Sequence, residues 1–355
     1  MAYPPPDQTQ TSPPSSSSSS TFSSTFSSRS NPITGVLTPL STSRPKKLFL
    51  TREATLEQHR QEQLDTLEEF QDILSAEVLL EITKLREYSR HGIPKSIRGE
   101  AWLFLLGVKD ADRSKEISTQ KRLQHEYEQM DKEPGEQARR VRGDISRCLR
   151  RCAQMRSSRN IPRLLEEIVS AYCNHNRQVE YYPAMVNIAV PIVFAVKKDW
   201  NAYACFERVV NLLDAHFSEE RIQETTARFM TMFHGLLPDL YSYFEEEEVN
   251  IREWAASALR HLLSRELTVE NTLRLWDTYF ALKEDRDKGD KEGGEWTGLN
   301  TCVCLALLKQ LKEEFEEWEQ SEIFSTLMKL PALDMDPIIN EAFNIQHELL
   351  EHSRA

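Results

Sequence analysis

The feature that most constrains this chain is a helical spacing of apolar residues that continues, with short interruptions, from residue 97 to residue 329. Apolar side chains recur every three or four positions, which places them on one face of a helix, whereas the two-residue alternation of strands is nearly absent. Short turns separate the segments, and no fixed-length repeat relates them. The pattern predicts an all-α fold with helices near 97–106, 116–131, 137–152, 161–174, 181–196, 201–215, 220–233, 238–246, 251–264, 268–281, 300–318 and 320–329.

The two ends of the chain differ from this helical region. Residues 1–45 are rich in Ser, Thr and Pro and carry few apolar side chains, so burial cannot offset the entropy lost on ordering them. We therefore expect a disordered tail at 1–45, an N-terminal helical extension at 46–89, a main domain at 90–330 and a C-terminal helical segment at 331–355.

Composition argues against several classes of function. The 11 glycines form no phosphate-binding pattern, and a net charge of -12 disfavours a general nucleic-acid surface. The longest apolar run, from Ile188 to Val196, includes Pro191 and is far shorter than the ~20 residues that a membrane helix needs. No nucleic-acid partner and no transmembrane segment are expected.

Metal and cofactor sites are not expected either. The cysteine pairs at Cys148/Cys152 and Cys302/Cys304 lack the spacing of a zinc site and have no histidine set nearby. The charged stretch 283–296 lacks the bidentate glutamate of a calcium loop, so a flexible connector is predicted there. The first residues also lack the order of a signal peptide, which favours a cytoplasmic location.

The residue patterns of common enzymes are absent. The sequence contains no GxSxG, HExxH or CxxC motif, and its nine histidines are scattered. The acidic run from Glu245 to Glu248 forms no matched acid/base pair, because consecutive helical residues point in different directions. These absences favour a protein that acts on another protein.

Five fragments, taken in order, carry a family resemblance. They are GIPKSIRGEAW at 92–102, VRGDISR at 141–147, VEYYPAMVNI at 179–188, AYACFERVVNLL at 202–213 and REWAASALRHLLSRELTVENTLRLWDTYFA at 252–281. In this order and spacing the chain resembles the TBC domain, the all-helical module of GTPase-activating proteins for Rab-type small GTPases. The resemblance covers roughly residues 90–330. It implies structural roles for Arg98, Trp102, Trp254, Trp276 and Asp277.

The resemblance also implies a mechanism. TBC domains are understood to supply an arginine from an IxxDxxR motif and a glutamine from a YxQ motif to the active site of the GTPase. An arginine inserted in trans stabilises charge on the transferred phosphoryl group and accelerates hydrolysis by about 10³ to 10⁵. A glutamine amide can donate to and accept from the attacking water.

The first of these motifs is present as Val141 to Arg147. Asp144 and Arg147 are three residues apart, so on a helix the carboxylate can orient the guanidinium group. From the spacing alone an ordinary surface ion pair is the better interpretation. The flanking motifs favour Arg147 as the catalytic arginine, oriented by Asp144.

The second motif departs from the family pattern. With Tyr181 aligned to the motif tyrosine, Pro183 occupies the glutamine position, and Met185 and Asn187 stand in the segment that follows. The resemblance implies that these four residues contact the GTPase. Proline has neither an amide side chain nor a backbone N–H, so it cannot hold a water as glutamine does. Gln178, five residues upstream, is a weaker candidate for that role.

Two hypotheses about function remain open at the level of sequence. In the first, the protein activates a Rab-type GTPase through Arg147 and relies on the glutamine of its partner. In the second, it is a TBC-shaped scaffold that binds a GTPase or another subunit without stimulating hydrolysis. An unrelated helical adaptor is a third and weaker alternative. The resemblance implies no cofactor of the chain's own, since GTP and Mg²⁺ belong to the GTPase, and a role in vesicle trafficking, with peripheral association with endomembranes through the partner.

Overall fold

The computed structural model describes residues 61, 64–152, 160–216, 219–282 and 295–352. All of them belong to one compact unit, Thr55–Ala355. Within these ranges the regular structure is helical, and extended pairing is limited to a single antiparallel bridge between Leu79 and Asp112. The predicted all-α fold is confirmed. None of the helices in the described ranges is both long enough and apolar enough to cross a membrane.

Sixteen α-helices are described, numbered α1 to α16 in chain order. The first occupies 64–74, and a short 3₁₀ turn, Arg113–Lys115, precedes the fourth. The others are α2 Ile82–Ser89, α3 Arg98–Leu105, α4 Glu116–Gln129, α5 Ala138–Arg151, α6 Ile161–His175, α7 Ala184–Ala195, α8 Asp199–His216, α9 Glu219–Leu236, α10 Pro238–Glu246, α11 Ile251–Arg260, α12 Val269–Ala281, α13 Glu295–Gln310, α14 Lys312–Phe315, α15 Gln320–Met328 and α16 Met335–His352.

Several helix boundaries differ from the predicted ones, and three of these differences matter here. Helix α11 ends at Arg260 and not at 264, because Leu262 and Leu263 adopt positive φ angles of 51° and 58°. Helix α7 begins at Ala184, after Pro183. The segment predicted as one helix at 300–318 is divided into α13 and α14. The predicted tail at 1–45 and most of the predicted connector at 283–296 lie outside the described residues.

One continuous apolar core joins the helices. The side chains of Trp102, Trp254 and Trp276 have no exposed surface. Their indole N–H groups are also satisfied: Trp254 donates to the Leu327 carbonyl at 2.9 Å and Trp276 to the Leu262 carbonyl at 3.1 Å. The second of these bonds holds the left-handed turn that ends α11.

A buried carboxylate ties the start of α3 to α12. Asp277 is fully buried and accepts hydrogen bonds from Arg98 Nε at 3.0 Å, from Trp102 Nε1 at 2.8 Å and from the backbone N–H of Ile93 at 2.8 Å. Burial raises the pKa of Asp277, and the Arg98 guanidinium opposes that rise. Arg98 and Trp102 therefore lie one turn apart because both bind the same carboxylate.

A glycine lets α3 pack against the end of α7. A Cβ atom on Gly99 would lie 2.2 Å from the carbonyl oxygen of Ala195, far inside van der Waals contact with backbone that cannot move away easily. By contrast, a Cβ on Gly143 within α5 would meet only Arg147 Nη1, at an ordinary 3.6 Å. Packing inside the chain therefore requires a glycine at position 99, whereas it does not require one at position 143.

We expect Gly99→Ala to lower the free energy of unfolding by at least about 1–3 kcal/mol, because α3 and α7 must separate to admit the methyl group. The matched control, Gly143→Ala, should raise it by up to about 1 kcal/mol through helix propensity. Urea denaturation of the two variants would test this. Equal unfolding midpoints would show that the contact between α3 and Ala195 is not tight.

Candidate functional site

Helix α5 presents two very different faces. Val141 and Ile145 are buried against α6 and α7, whereas the arginines of the helix point outward into solvent. The apolar residues lie four positions apart, which is the spacing of neighbours on one face of a helix. The sequence thus determines which side of α5 packs against the core and which side faces solvent.

Asp144 lies at the border between these faces and binds the side chains of both predicted motifs. Its carboxylate pairs with the guanidinium group of Arg147 through Oδ1 and accepts a 2.7 Å hydrogen bond from the Tyr181 hydroxyl through Oδ2. The Asp144 side chain is 10% exposed, and that of Arg147 is 65% exposed. The carboxylate is therefore held inside the protein, while the guanidinium group that it orients stays accessible.

Tyr181 is positioned by burial. Its side chain is 7% exposed, and burial together with the hydrogen bond to Asp144 raises the pKa of its hydroxyl well above the usual value. The hydroxyl stays protonated and continues to donate to Asp144 across the neutral pH range. The tyrosine of the second motif thus supports the arginine of the first through a shared carboxylate.

The position of the missing glutamine lies at the beginning of α7. Pro183 is the exposed residue that precedes this helix, and its carbonyl oxygen accepts a 3.3 Å hydrogen bond from Asn187 Nδ2. The Cys148 thiol, next to Arg147, donates to Asn187 Oδ1 at 3.5 Å. These contacts fix the start of α7 beside α5. Pro183 offers only a ring and a carbonyl oxygen that Asn187 already occupies.

Two of the four residues expected to contact a GTPase are buried. The side chain of Met185 has no exposed surface and packs against Cys173, so its assignment as a contact residue is corrected: it belongs to the core beneath the site. Tyr181 acts through its hydroxyl from within the protein. Pro183 and, in part, Asn187 remain at the surface. Gln178 lies exposed in the turn that connects α6 and α7.

The sequence did not indicate the cross-helix contacts that complete the site. Nothing in the spacing shows that the Tyr181 hydroxyl reaches Asp144, 37 residues away, or that Cys148 contacts Asn187, 39 residues away.

A hydrogen bond from Cys152 lowers the pKa of the Cys148 thiol, an effect to which Arg151 contributes. In the described part of the chain, no group of three or more His, Cys, Asp or Glu side chains is arranged to hold a metal ion.

A match to a family model shows which family the chain belongs to. Residues 95–316, more than half of the chain, match the model of the Rab-GTPase-TBC domain. The chain belongs to the TBC domain family. The matched region contains Arg98 and Asp277 as well as Arg147, Asp144 and Tyr181, so the fold contacts and the candidate site lie within one TBC domain.

Curated relatives and solved structures agree with this assignment. The GTPase-activating protein gyp1 of Schizosaccharomyces pombe is 22% identical over 322 residues, which are 78% of this chain and 60% of that protein. Human TBC1 domain family member 25 is 26% identical over 225 residues, 59% of this chain and 33% of that protein. The chain thus spans at most about three fifths of the length of these relatives.

The structural comparison shows the fold. The crystal structure of the Ypt/Rab-GAP domain of Gyp1p matches with a TM-score of 0.63 at 18% identity, over 81% of this chain and 99% of that one. A Chlamydomonas flagellar RabGAP TBC domain matches with a TM-score of 0.53 at 19% identity, over 86% and 93%. The helical arrangement of this TBC domain is therefore found in solved structures.

We expect Tyr181→Phe to keep the fold and to lower the free energy of unfolding by about 1–3 kcal/mol, because one oxygen of the buried Asp144 carboxylate loses its partner. Tyr182→Phe is the matched control, since the Tyr182 hydroxyl makes no hydrogen bond to the described residues. Urea denaturation would measure both. Equal losses for the two variants would contradict a specific role for the bond between Tyr181 and Asp144.

Proposed function

We propose that this TBC domain accelerates GTP hydrolysis by a Rab-type small GTPase and that Arg147 enters the active site of the GTPase. The observation that carries the proposal is the placement of Arg147. Its guanidinium group is exposed, yet it is oriented by a carboxylate that is itself buried and held by Tyr181. A group that must stabilise transition-state charge in another protein needs both accessibility and a fixed direction.

Arginine suits this role for physical reasons. Its guanidinium group is always charged and presents donors in a planar fork that can bind two phosphoryl oxygens at once. An ordinary exposed ion pair contributes little to stability, about 0–1 kcal/mol, so stability alone gives little reason to anchor Arg147 through two buried partners. The anchored geometry instead favours a role in which orientation matters.

The attacking water requires a separate explanation in this protein. At the start of α7, Pro183 has no side-chain donor or acceptor. A glutamine of the GTPase itself would therefore hold the water, and this chain would contribute only the arginine. If the GTPase supplies the glutamine, this protein should accelerate GTP hydrolysis by GTPases that retain that residue and should not accelerate it in GTPase variants that lack it.

A second candidate function is favoured by the same proline. If catalysis requires a glutamine from the TBC domain, a domain with Pro183 binds its partner without stimulating hydrolysis. It would then act as a scaffold that occupies the GTPase. On either alternative we place the protein in the cytoplasm, in vesicle trafficking, with peripheral association with endomembranes through the GTPase.

The decisive experiment is single-turnover hydrolysis with a panel of GTP-loaded Rab proteins. Arg147→Lys should retain binding and lose most of the acceleration, about 10³-fold or more, because lysine keeps the charge and loses the planar fork. Arg142→Lys is the matched control, since Arg142 is an exposed arginine of the same helix that pairs with Glu166 at 2.6 Å. Asp144→Asn should have a smaller effect than Arg147→Lys.

Pro183→Gln separates the two candidate functions. If the missing amide limits the protein, this substitution should raise the rate, provided that the start of α7 keeps its backbone. Acceleration by the wild type would exclude the scaffold alternative. If the wild type binds a Rab protein but accelerates none in the panel, the activator proposal is wrong. Full activity of Arg147→Lys would show that another residue supplies the charge.

A further inference from the structure

The charge of α5 contrasts with that of the rest of the chain. The helix carries six arginines and a single acidic residue, in a protein whose net charge is -12. All six arginines lie at the surface, at positions 139, 140, 142, 147, 150 and 151. A concentration of one sign of charge on one element, against an opposite background, is typical of a surface that attracts a partner of the opposite sign.

Three of these arginines bind an acidic side chain or backbone carbonyls within the protein. Arg142 pairs with Glu166, Arg147 with Asp144, and Arg151 donates to the backbone carbonyls of Arg265 and Glu266. The other three are Arg139, Arg140 and Arg150. Arg140 donates a 3.1 Å hydrogen bond to the neutral side chain of Gln137, and none of the three pairs with a carboxylate of the described residues. Their charge is therefore available to a partner.

These free charges surround Arg147. Residues 139, 143, 147 and 150 are spaced by four, four and three positions, so they follow one another along the exposed face of α5. Arg140 flanks this row on the side of the site, close enough to Tyr181 for its charge to oppose the rise in the pKa of the tyrosine. We call Arg139, Arg140, Arg147 and Arg150, with Gly143 between them, the basic face.

Gly143 at the centre of this face has no function inside the chain. A glycine within a helix costs about 0.5–1 kcal/mol relative to alanine. A Cβ at this position would make only ordinary contact, 3.6 Å from Arg147 Nη1, so no internal packing requires its absence. The missing side chain leaves a gap at position 143, bordered by the Arg147 guanidinium group, where another surface can approach the helix backbone.

We propose that the basic face of α5 docks on an acidic protein surface of the GTPase, with the gap at Gly143 admitting a close approach. The inference rests on the proposed function, because it requires that Arg147 reach into a GTPase. An anionic membrane is disfavoured as the occupant, since α5 cannot face a bilayer and a GTPase at once. The acidic remainder of the chain would also be repelled by anionic lipids.

The test is the association rate with GTP-loaded Rab proteins, measured by stopped flow at low and high salt for the Rab protein that binds best. The double substitution Arg139→Glu with Arg150→Glu should slow association at least about tenfold at low salt and remove most of the salt dependence. The control, Lys121→Glu with Arg252→Glu, alters net charge equally on the exposed surfaces of α4 and α11 and should leave association nearly unchanged.

A second pair of variants tests the gap without changing charge. Gly143→Gln should retain the fold, because glutamine is a good helix former, and should raise the dissociation constant about tenfold or more by blocking the approach. Gly135→Gln is the control: it introduces the same side chain at a glycine that precedes α5 and has open space around it. Wild-type affinity for Gly143→Gln would overturn the proposed close approach.

The outcomes separate this inference from the proposed function. Acceleration by the wild type, with unchanged association of the Arg139/Arg150 variant, would overturn the docking surface and leave the activator function standing. Binding without acceleration would refute the activator function, and the association rates would still decide the docking surface. Absence of binding to every Rab protein would overturn both. Wild-type sedimentation with phosphatidylserine vesicles that the Arg139/Arg150 variant loses would assign the face to a membrane and overturn the proposal.

Discussion

The fold depends on one buried carboxylate. Asp277 on α12 binds Arg98, Trp102 and the backbone of Ile93, and thereby fixes the segment from which α3 begins. Removing one partner of such a buried pair is expected to cost about 3–5 kcal/mol, because the remaining charge stays desolvated. Helices α2, α7 and α16 also contact α12, so their positions depend on the same helix. The position of α7 in turn sets the position of Pro183, the residue that precedes this helix.

A similar arrangement of a buried carboxylate and its donors occurs at the candidate site, with one difference. Asp144, like Asp277, is a buried carboxylate that binds an arginine and an aromatic donor. At Asp277 the arginine is 14% exposed and completes the core, whereas at Asp144 it is 65% exposed. A buried carboxylate can therefore either stabilise the fold or orient a surface group, depending on where the helix places its partner. This contrast distinguishes an arginine that belongs to the core from one that is exposed to solvent more clearly than motif spacing does.

Most of the fold could be predicted from the sequence, because its helices have strong apolar periodicity. The errors occurred where tertiary contacts override that periodicity: α11 ends early because Trp276 binds the carbonyl of Leu262 in a left-handed turn. At the site, the sequence predicted the pair of Asp144 and Arg147 because both lie on one helix. It could not predict the bond from Tyr181 or the burial of Met185, since these depend on how α7 lies against α5.

A TBC domain is expected to supply a catalytic arginine and a glutamine that holds the attacking water, and this chain differs greatly in how completely it provides the two. The arginine part has an exposed guanidinium group, a buried carboxylate and a buried tyrosine that supports it, whereas the water-holding part is reduced to Pro183. On the proposed function, the partner then contributes more to catalysis, and the choice of partner becomes correspondingly more important. A helix with net charge opposite to that of the whole protein is well suited to make that choice, because complementary charge acts mainly on association rate and specificity.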